Sequence, residues 1–455
     1  GPDPAPGASM GSGWFSRQDY IDIVRYASDR HIEVIPEIDV PGHARAAILA
    51  MKARANRLAA EGDSAGAEMY RLDEPGDRSE YRSVQNYTDN VINVCRESTY
   101  RFMELVINEV EAMHSEAGAP LEMLHVGGDE VPHGAWEKSP LCNQIMNERG
   151  MNNPKLLQDY FFDRISSFLQ EKNIVMGGWE EVAFTDRDGV PTVKPAIDDT
   201  IVPYVWSNIW GGGTEDRAYK LANTGYPVVM SHASNFYFDM AYNKHWQEPG
   251  FYWAAMLTTE EPFSFMPFNL FESAATTSYG NELSDDYFED KVRLNDSARE
   301  NILGLQGQLW TETVNVPGRM DYMIYPRLLG LAERAWTGEP SWSNARTDSD
   351  QERDRVNAWN SFANRLGQVE LPRLDRRYPS LNYRIPAPGA VIRNDTLFAN
   401  ISFPGMTLRY ELNGSDPTPE SPIYSRPVAL SQDEQPRIAA FNSEGRAGRA
   451  VSPTR

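Results

Sequence analysis

Short apolar runs alternate with amphipathic stretches along most of this chain, and that alternation restricts its fold more than any other feature. It calls for parallel strands joined by helices. Six strand candidates stand out: Ile32 to Val40, Met123 to Glu130, Ile174 to Val182, Thr200 to Asn208, Pro227 to Asp239 and Ile302 to Glu312. Between them, Tyr100 to His114, Leu156 to Glu171, Asp216 to Asn223 and Arg319 to Trp336 carry apolar residues at helical spacing. Five of the six strand candidates end in acids: Asp39, Asp129 with Glu130, Glu180, Asp239 and Glu312. A (β/α)8 barrel gathers all its strand ends around one mouth, whereas a doubly wound sheet concentrates ligands at a single switch point. Acids spread over many strand ends therefore favour the barrel. After about Leu371 helical spacing stops and short β-rich runs take over, as in Thr407 to Leu412 followed by "NGSDPTPES". The expected organisation is a barrel domain over residues 1–370 and a small Ig-like β-sandwich over residues 371–455.

The 65 acidic against 43 basic residues give a formal charge of −22, which disfavours nucleic acid and anionic membranes as partners. No apolar run approaches the roughly 18 residues that a membrane span needs. Cys95 and Cys142 are too few for a disulfide framework and lack metal-ligand spacing. One bridge between them and two unrelated thiols are both compatible with the sequence.

The chemistry concentrates in "LHVGGDE", Leu124 to Glu130. Successive strand residues point to opposite faces, so Asp129 and Glu130 can serve one pocket only if the backbone turns, which Gly127 and Gly128 permit. Carboxyl groups that flank a sugar in ordinary retaining glycosidases stand on opposite sides of it. Neighbours in sequence are poorly placed for that, and a better division has one acid protonating a leaving oxygen while the other holds substrate. A general acid must keep its proton at working pH while a positioning carboxylate stays ionised. Tryptophans recur at strand ends: Trp179 in "GGWEEV", Trp206 and Trp210 in "PYVWSNIW", and Trp310 beside Glu312 in "QGQLWTE". Any one of them could be core, but repetition beside acids fits sugar faces and methyl groups. His43 and His125 could in principle ligate a metal with nearby acids. No HxH or HExxH arrangement accompanies them, and no metal is expected.

Four ordered motifs, "EIDVPGHA", "LHVGGDE", "SNFYFDM" and "QGQLWTE", resemble glycoside hydrolase family 20, the β-N-acetylhexosaminidases, and among them the bacterial chitobiases. The resemblance implies that Glu130 is the general acid and base and that Asp129 orients the 2-acetamido group of the substrate. That group then acts as nucleophile through an oxazolinium intermediate, with retention. Tyr237 matches the tyrosine that bonds the acetamido oxygen, and Trp179, Trp206 and Trp310 match the walls around its methyl group. Asp239 and Glu312 match residues that bind sugar hydroxyls, Trp253 in "GFYWAA" matches an aromatic platform for the leaving sugar, and Asp39, His43 and His125 match a supporting polar network.

It implies an oligosaccharide substrate ending in N-acetylglucosamine or N-acetylgalactosamine, and neither metal nor cofactor. Both cysteines also resemble chitobiase positions, implying a disulfide and a periplasmic or secreted protein. Family members begin the barrel with two further strands, the first followed by a sugar-gripping arginine, and neither is visible here. The expectation is a barrel represented by strands 3 to 8, completed by a missing N-terminal part of the same protein. The rival function is a catalytically silent sugar-binding protein on the same scaffold.

Overall fold

A computed structural model describes residues 13–187, 190–196, 200–274, 276–284, 286–344 and 347–453. Its centre is a parallel sheet of β1 (Met123–His125), β2 (Val175–Trp179), β3 (Ile201–Val205), β4 (Val228–Met230) and β5 (Ile302–Leu305), hydrogen-bonded in that order. Strand order follows sequence order and never reverses, so the sheet has no switch point of the doubly wound kind. All five run in one direction, and the five segments that follow them emerge at the same end. Four consecutive residues are buried in each of β2 and β3, as expected of strands covered on both faces.

The helices over these strands form where the apolar spacing places them. Leu156–Glu171 is helical over the predicted range, with Leu157, Phe161, Ile165 and Leu169 buried along one stripe. Each such side chain contributes about 1.5–3 kcal/mol relative to exposure. Glu97–Ala117 extends beyond the predicted Tyr100 to His114 and ends at Gly118, whose φ of 77° suits the left-handed cap. Arg217–Thr224 lies one residue from its expected position.

Several expected elements are cut shorter than their apolar runs. Ile32 to Val40 makes a single parallel bridge, Glu37 with His125, outside β1. Pro36 has no N–H and offers only its carbonyl, to the His125 N–H at 2.9 Å, so a regular ladder cannot form. The fifth run, Pro227 to Asp239, leaves the ladder after Met230, turns through one helical turn at Ala233–Phe236, and resumes pairing at Tyr237 with Gln308. The last run leaves the ladder at Leu305; at Gly307 a Cβ would lie 2.8 Å from the Phe238 ring, a close approach only glycine allows. Arg319 to Trp336 is two helices, Pro317–Ile324 and Arg327–Trp336, broken at Tyr325–Pro326 because proline cannot donate within a helix.

The helical run does not stop at Leu371. It continues through Leu371–Arg377, and strands begin at Gly389. The C-terminal part holds a three-stranded antiparallel sheet of Gly389–Arg393, Thr396–Asn400 and Val428–Ala429, and a two-stranded one of Thr407–Glu411 with Arg437–Phe441. Leu366 and Leu371 of the preceding helices share a core with Leu408 and Ile438 of these strands and with Phe403 in the loop between them, which fastens this part to the rest of the chain. Cys95 and Cys142 are disulfide-bonded, with Cα atoms 5.2 Å apart. The bridge ties the start of Glu97–Ala117 to the helix Pro140–Arg149, on either side of β1.

Candidate active site

Beyond β1 the chain turns sharply, with φ of 68° at Gly127, 110° at Gly128 and 52° at Glu130. A Cβ on Gly127 would fall 1.8 Å from Asp39 Oδ1, and one on Gly128 2.7 Å from Phe162 Cζ, so only glycine fits at either position. Glu130 holds a left-handed backbone that few residues other than glycine, asparagine or aspartate adopt, the sort of local strain that collects at functional sites. The turn is fixed from outside: Gly128 N–H donates to Asp39 Oδ1 (3.2 Å), Gln158 Nε2 to Gly128 O (2.6 Å) and Trp179 N–H to Gly127 O (2.8 Å).

The two carboxylates converge as a result. His43 Nε2 lies 3.4 Å from Asp129 Oδ2 and 3.4 Å from Glu130 Oε2. Both acids thus reach one ring nitrogen and lie on one side of the pocket. Hydrogen bonding to the two carboxylates, with the Asp129 charge adding to it, pushes the His43 imidazole up to about 11, outweighing its partial burial. Asp39 behind them is raised from the ordinary carboxylate range, first by burial and then by the Asp129 charge. One ligand atom from each of Asp39, His43 and Asp129 falls within 4.8 Å of the others, a spacing open to a cation.

The aromatic side chains form a continuous wall. Trp206 lies nearly parallel to Tyr237 at 6.5 Å, and Trp253 stands edge-on to Tyr237 at 5.8 Å and to Trp206 at 6.5 Å. Trp310 meets Tyr237 at 6.2 Å and Trp179 at 5.9 Å. Trp179 and Tyr237 are buried, Trp206 and Trp310 half-buried, and Trp253 is exposed at the rim. Burial and then the Asp129 charge hold the Tyr237 phenol well above its ordinary range, so it stays a hydrogen-bond donor. Asp239 is almost fully buried and its carboxyl is pushed up to about 7, chiefly by burial, with the charge of exposed Glu312 adding to it. His125 packs edge-on against Trp179 (4.9 Å) and Tyr204 (4.8 Å) below the turn.

Several residues that the sequence reading did not single out as part of the site hold it in place. Glu37 Oε1 accepts from Trp179 Nε1 (3.0 Å) and lies 3.2 Å from His125 Nδ1. It stands two residues before Asp39 in an extended segment, and that spacing was the one available clue. Gln85 donates to Glu130 Oε2 (3.2 Å) from a loop with no pattern of its own. Glu180, fully buried, accepts from Trp206 N–H (3.0 Å) and Ser207 N–H (3.2 Å) and pairs with Arg217, anchoring the start of the Trp206 loop. Glu181 beside it is raised by burial and by the Glu180 and Asp129 charges. Arg327, with no exposure at all, donates to Phe238 O (2.5 Å) and Met240 O (2.7 Å), clamping both neighbours of Asp239.

The family model described as "Glycosyl hydrolase family 20, catalytic domain" matches residues 4–339, and that of the "Chitobiase/beta-hexosaminidase C-terminal domain" matches residues 370–450. A beta-hexosaminidase of Vibrio vulnificus is 35% identical over 97% of this chain and 52% of its own length. An N,N'-diacetylchitobiase of Vibrio harveyi is 34% identical over 95% of this chain and 53% of its own length. The chain thus spans about half the length of the curated relatives it matches. The solved structure of a GH20 exo beta-N-acetylglucosaminidase from Vibrio harveyi, in complex with N-acetylglucosamine, superposes with a TM-score of 0.58 at 31% identity, covering 82% of this chain and 46% of that one. The turn that brings Asp129 and Glu130 together thus lies inside the matched catalytic region, and the chain belongs to glycosyl hydrolase family 20.

Proposed function

We propose that the protein containing this chain is a retaining exo-β-N-acetylhexosaminidase that releases terminal N-acetylglucosamine or N-acetylgalactosamine from chitooligosaccharides or related glycans. The observation that carries this reading is that Asp129 and Glu130 both lie 3.4 Å from the same nitrogen of His43. Acids on one side cannot straddle a sugar ring as donor and nucleophile, the arrangement of ordinary retaining enzymes. The nucleophile is then the substrate's own acetamido oxygen.

Glu130 gives its proton to the glycosidic oxygen as the acetamido oxygen bonds to the anomeric carbon and the bond to the leaving sugar breaks. Asp129 accepts the acetamido N–H and stabilises the positive charge of the oxazolinium, and the Tyr237 hydroxyl donates to the acetamido oxygen. Trp179, Trp206 and Trp310 enclose the methyl group and exclude water. Glu130, now a carboxylate, takes a proton from the water that reopens the ring, which gives retention. Asp239 and Glu312 hold sugar hydroxyls, Trp253 stacks on the leaving sugar, and His43 with Asp39 and His125 keeps the acid pair in register.

We infer further that the sheet is an arc of a (β/α)8 barrel, strands 3 to 8, and that the strands after Gly389 form an Ig-like domain. Among the described residues the Glu37 segment and β5 each pair on one side only, which supports completion of the barrel by another part of the same protein. The Cys95–Cys142 bridge supports a periplasmic or secreted location. The test is hydrolysis of aryl β-N-acetylglucosaminide, β-N-acetylgalactosaminide and β-glucoside by the full-length protein. Release from the acetamido sugars with retention, and hardly any from the glucoside, is expected. Rapid glucoside cleavage would show an enzymic nucleophile, and sugar binding without cleavage would show a silent binding protein.

A further inference from the structure

Between the loop that leads to Trp253 and the C-terminal strands lies a cavity of about 640 Å³. Its walls carry Arg319, Arg437, Arg446 and Arg449, in a chain whose net charge is −22. The two carboxylates that line it are already engaged. Glu248 accepts from Arg384 Nη2 (2.7 Å) and the Tyr322 hydroxyl (2.8 Å), and Asp416 pairs with Arg437. Arg437 Nε, Arg446 Nη2 and Arg449 Nε are buried without a hydrogen-bond partner among the described residues.

Two of these guanidinium groups are held in place. Arg446 lies over the Tyr383 ring at 4.5 Å and donates through Nη1 to Asn382 Oδ1 (3.1 Å), while Arg437 Nη1 donates to Ser452 Oγ (3.1 Å). Four guanidinium groups lining one cavity, beside carboxylates that are already paired, match the planar or tetrahedral oxygens of a carboxylate, sulfate or phosphate. A volume of about 640 Å³ exceeds what a single inorganic ion fills and lies in the range of small-ligand pockets. The Gln247 amide adds a neutral group suited to hydroxyls.

We propose that this cavity binds an oxyanion carried on a sugar, such as a sulfated or carboxylated hexose unit of a glycan. Part of its wall adjoins the segments that bear Trp253 and Glu312: Gln247 and Glu248 precede Trp253, and Val316 and Arg319 follow Glu312. Arg319 also donates to Thr313 O (2.9 Å), next to Glu312. The sugar as carrier rests on the glycosidase reading, whereas the oxyanion site rests on the arginines alone.

The test is calorimetric titration of the full-length protein with glucose 6-sulfate, glucose and sodium sulfate. These lack the acetamido group that the active site is proposed to grip. Glucose 6-sulfate should bind, weaken as salt rises, and bind more tightly than sodium sulfate, while glucose should give no binding. Arg449 makes no hydrogen bond among the described residues, so Arg449→Gln should fold normally and weaken binding tenfold or more. Arg449→Lys should lose less, and Arg319→Gln provides a second site of attack. Hydrolysis of a neutral aryl acetamidoglycoside should be unchanged in Arg449→Gln.

Sodium sulfate binding as tightly as glucose 6-sulfate would overturn the sugar as carrier. Binding of neither anion, or equal binding by the arginine variants, would overturn the site. A protein without hexosaminidase activity that still shows arginine-dependent binding would separate failure of the glycosidase reading from failure of this one.

Discussion

Asp239→Asn should make the protein more stable and less active, and both effects should depend on pH. The carboxyl is 1% exposed and is pushed from an ordinary 3.8 up to about 7, mainly by burial. A raised value means the folded protein holds this proton more tightly than the unfolded chain does. The stability it contributes is fully present below about pH 4 and is lost as pH rises through about 7. Raising the carboxyl that far corresponds to about 4 kcal/mol when the loss is complete.

Asparagine cannot ionise, so the variant escapes that loss. Linkage puts its gain over the parent at about 2–3 kcal/mol more near pH 8 than near pH 5. Urea unfolding of both full-length proteins at the two pH values, followed by tryptophan fluorescence, measures this directly. Subtraction removes any pH-independent change in packing. The same substitution removes a charged acceptor for sugar hydroxyls, worth about 1.5–3 kcal/mol or one to two decades in kcat/KM. For the parent, KM should rise as pH falls below about 7, as the carboxylate becomes protonated, and the variant should lack that limb. A stability difference that does not change with pH would refute the burial argument. An undiminished kcat/KM would refute the assignment to substrate.

Glu130→Gln cannot donate a proton and should cost about 10²–10⁴ in the rate on chitobiose, with a smaller loss on activated aryl substrates; unchanged chitobiose turnover would sink the assignment. A thiazoline analogue of the oxazolinium should inhibit strongly, and Asp129→Asn should weaken that inhibition more than it weakens product binding, as measured by Ki. Breaking the Cys95–Cys142 bridge with Cys95→Ser/Cys142→Ser opens a loop of 47 residues and should lower stability by up to about 4 kcal/mol, read from urea midpoints. On the proposed open-arc reading, in which the Glu37 segment and β5 each pair on one side only among the described residues, residues 1–455 expressed alone should aggregate or show negligible activity, because such edges pair with other chains. Coexpression of the remaining strands should restore activity, and a monodisperse, fully active preparation of 1–455 would refute the open-arc reading.

What could be read from the sequence follows from how local its causes are. The helix Leu156–Glu171 sits where its apolar stripe puts it, because one face of one element decides the outcome. The Gly-Gly turn was legible for the same reason: two neighbouring acids cannot share a pocket from a straight strand. Strand ends were not legible. The regular ladder of the last apolar run ends at Leu305 and pairing resumes at Gln308, beside a Gly307 that the Phe238 ring approaches from another segment, which no local pattern announces. The break at Pro326 was within reach of a local rule, yet apolar spacing continues across it and outweighed the proline in the reading.

The supports of the site are less legible still, and the reason is physical. Arg327 lies in a helix that reads as amphipathic, where an arginine is ordinarily a solvated residue. Its role comes from two carbonyls, Phe238 O and Met240 O, that flank Asp239 beyond the point where the strand is interrupted. Those carbonyls belong to buried residues beyond the one-turn helix at Ala233–Phe236, and a buried carbonyl needs a donor, which Arg327 supplies. The interruption swings Tyr237 and Asp239 into the pocket, and the buried arginine follows from it. A residue that binds sugar can be recognised by its chemistry, but a residue that compensates for a distorted strand can be recognised only once the distortion is known.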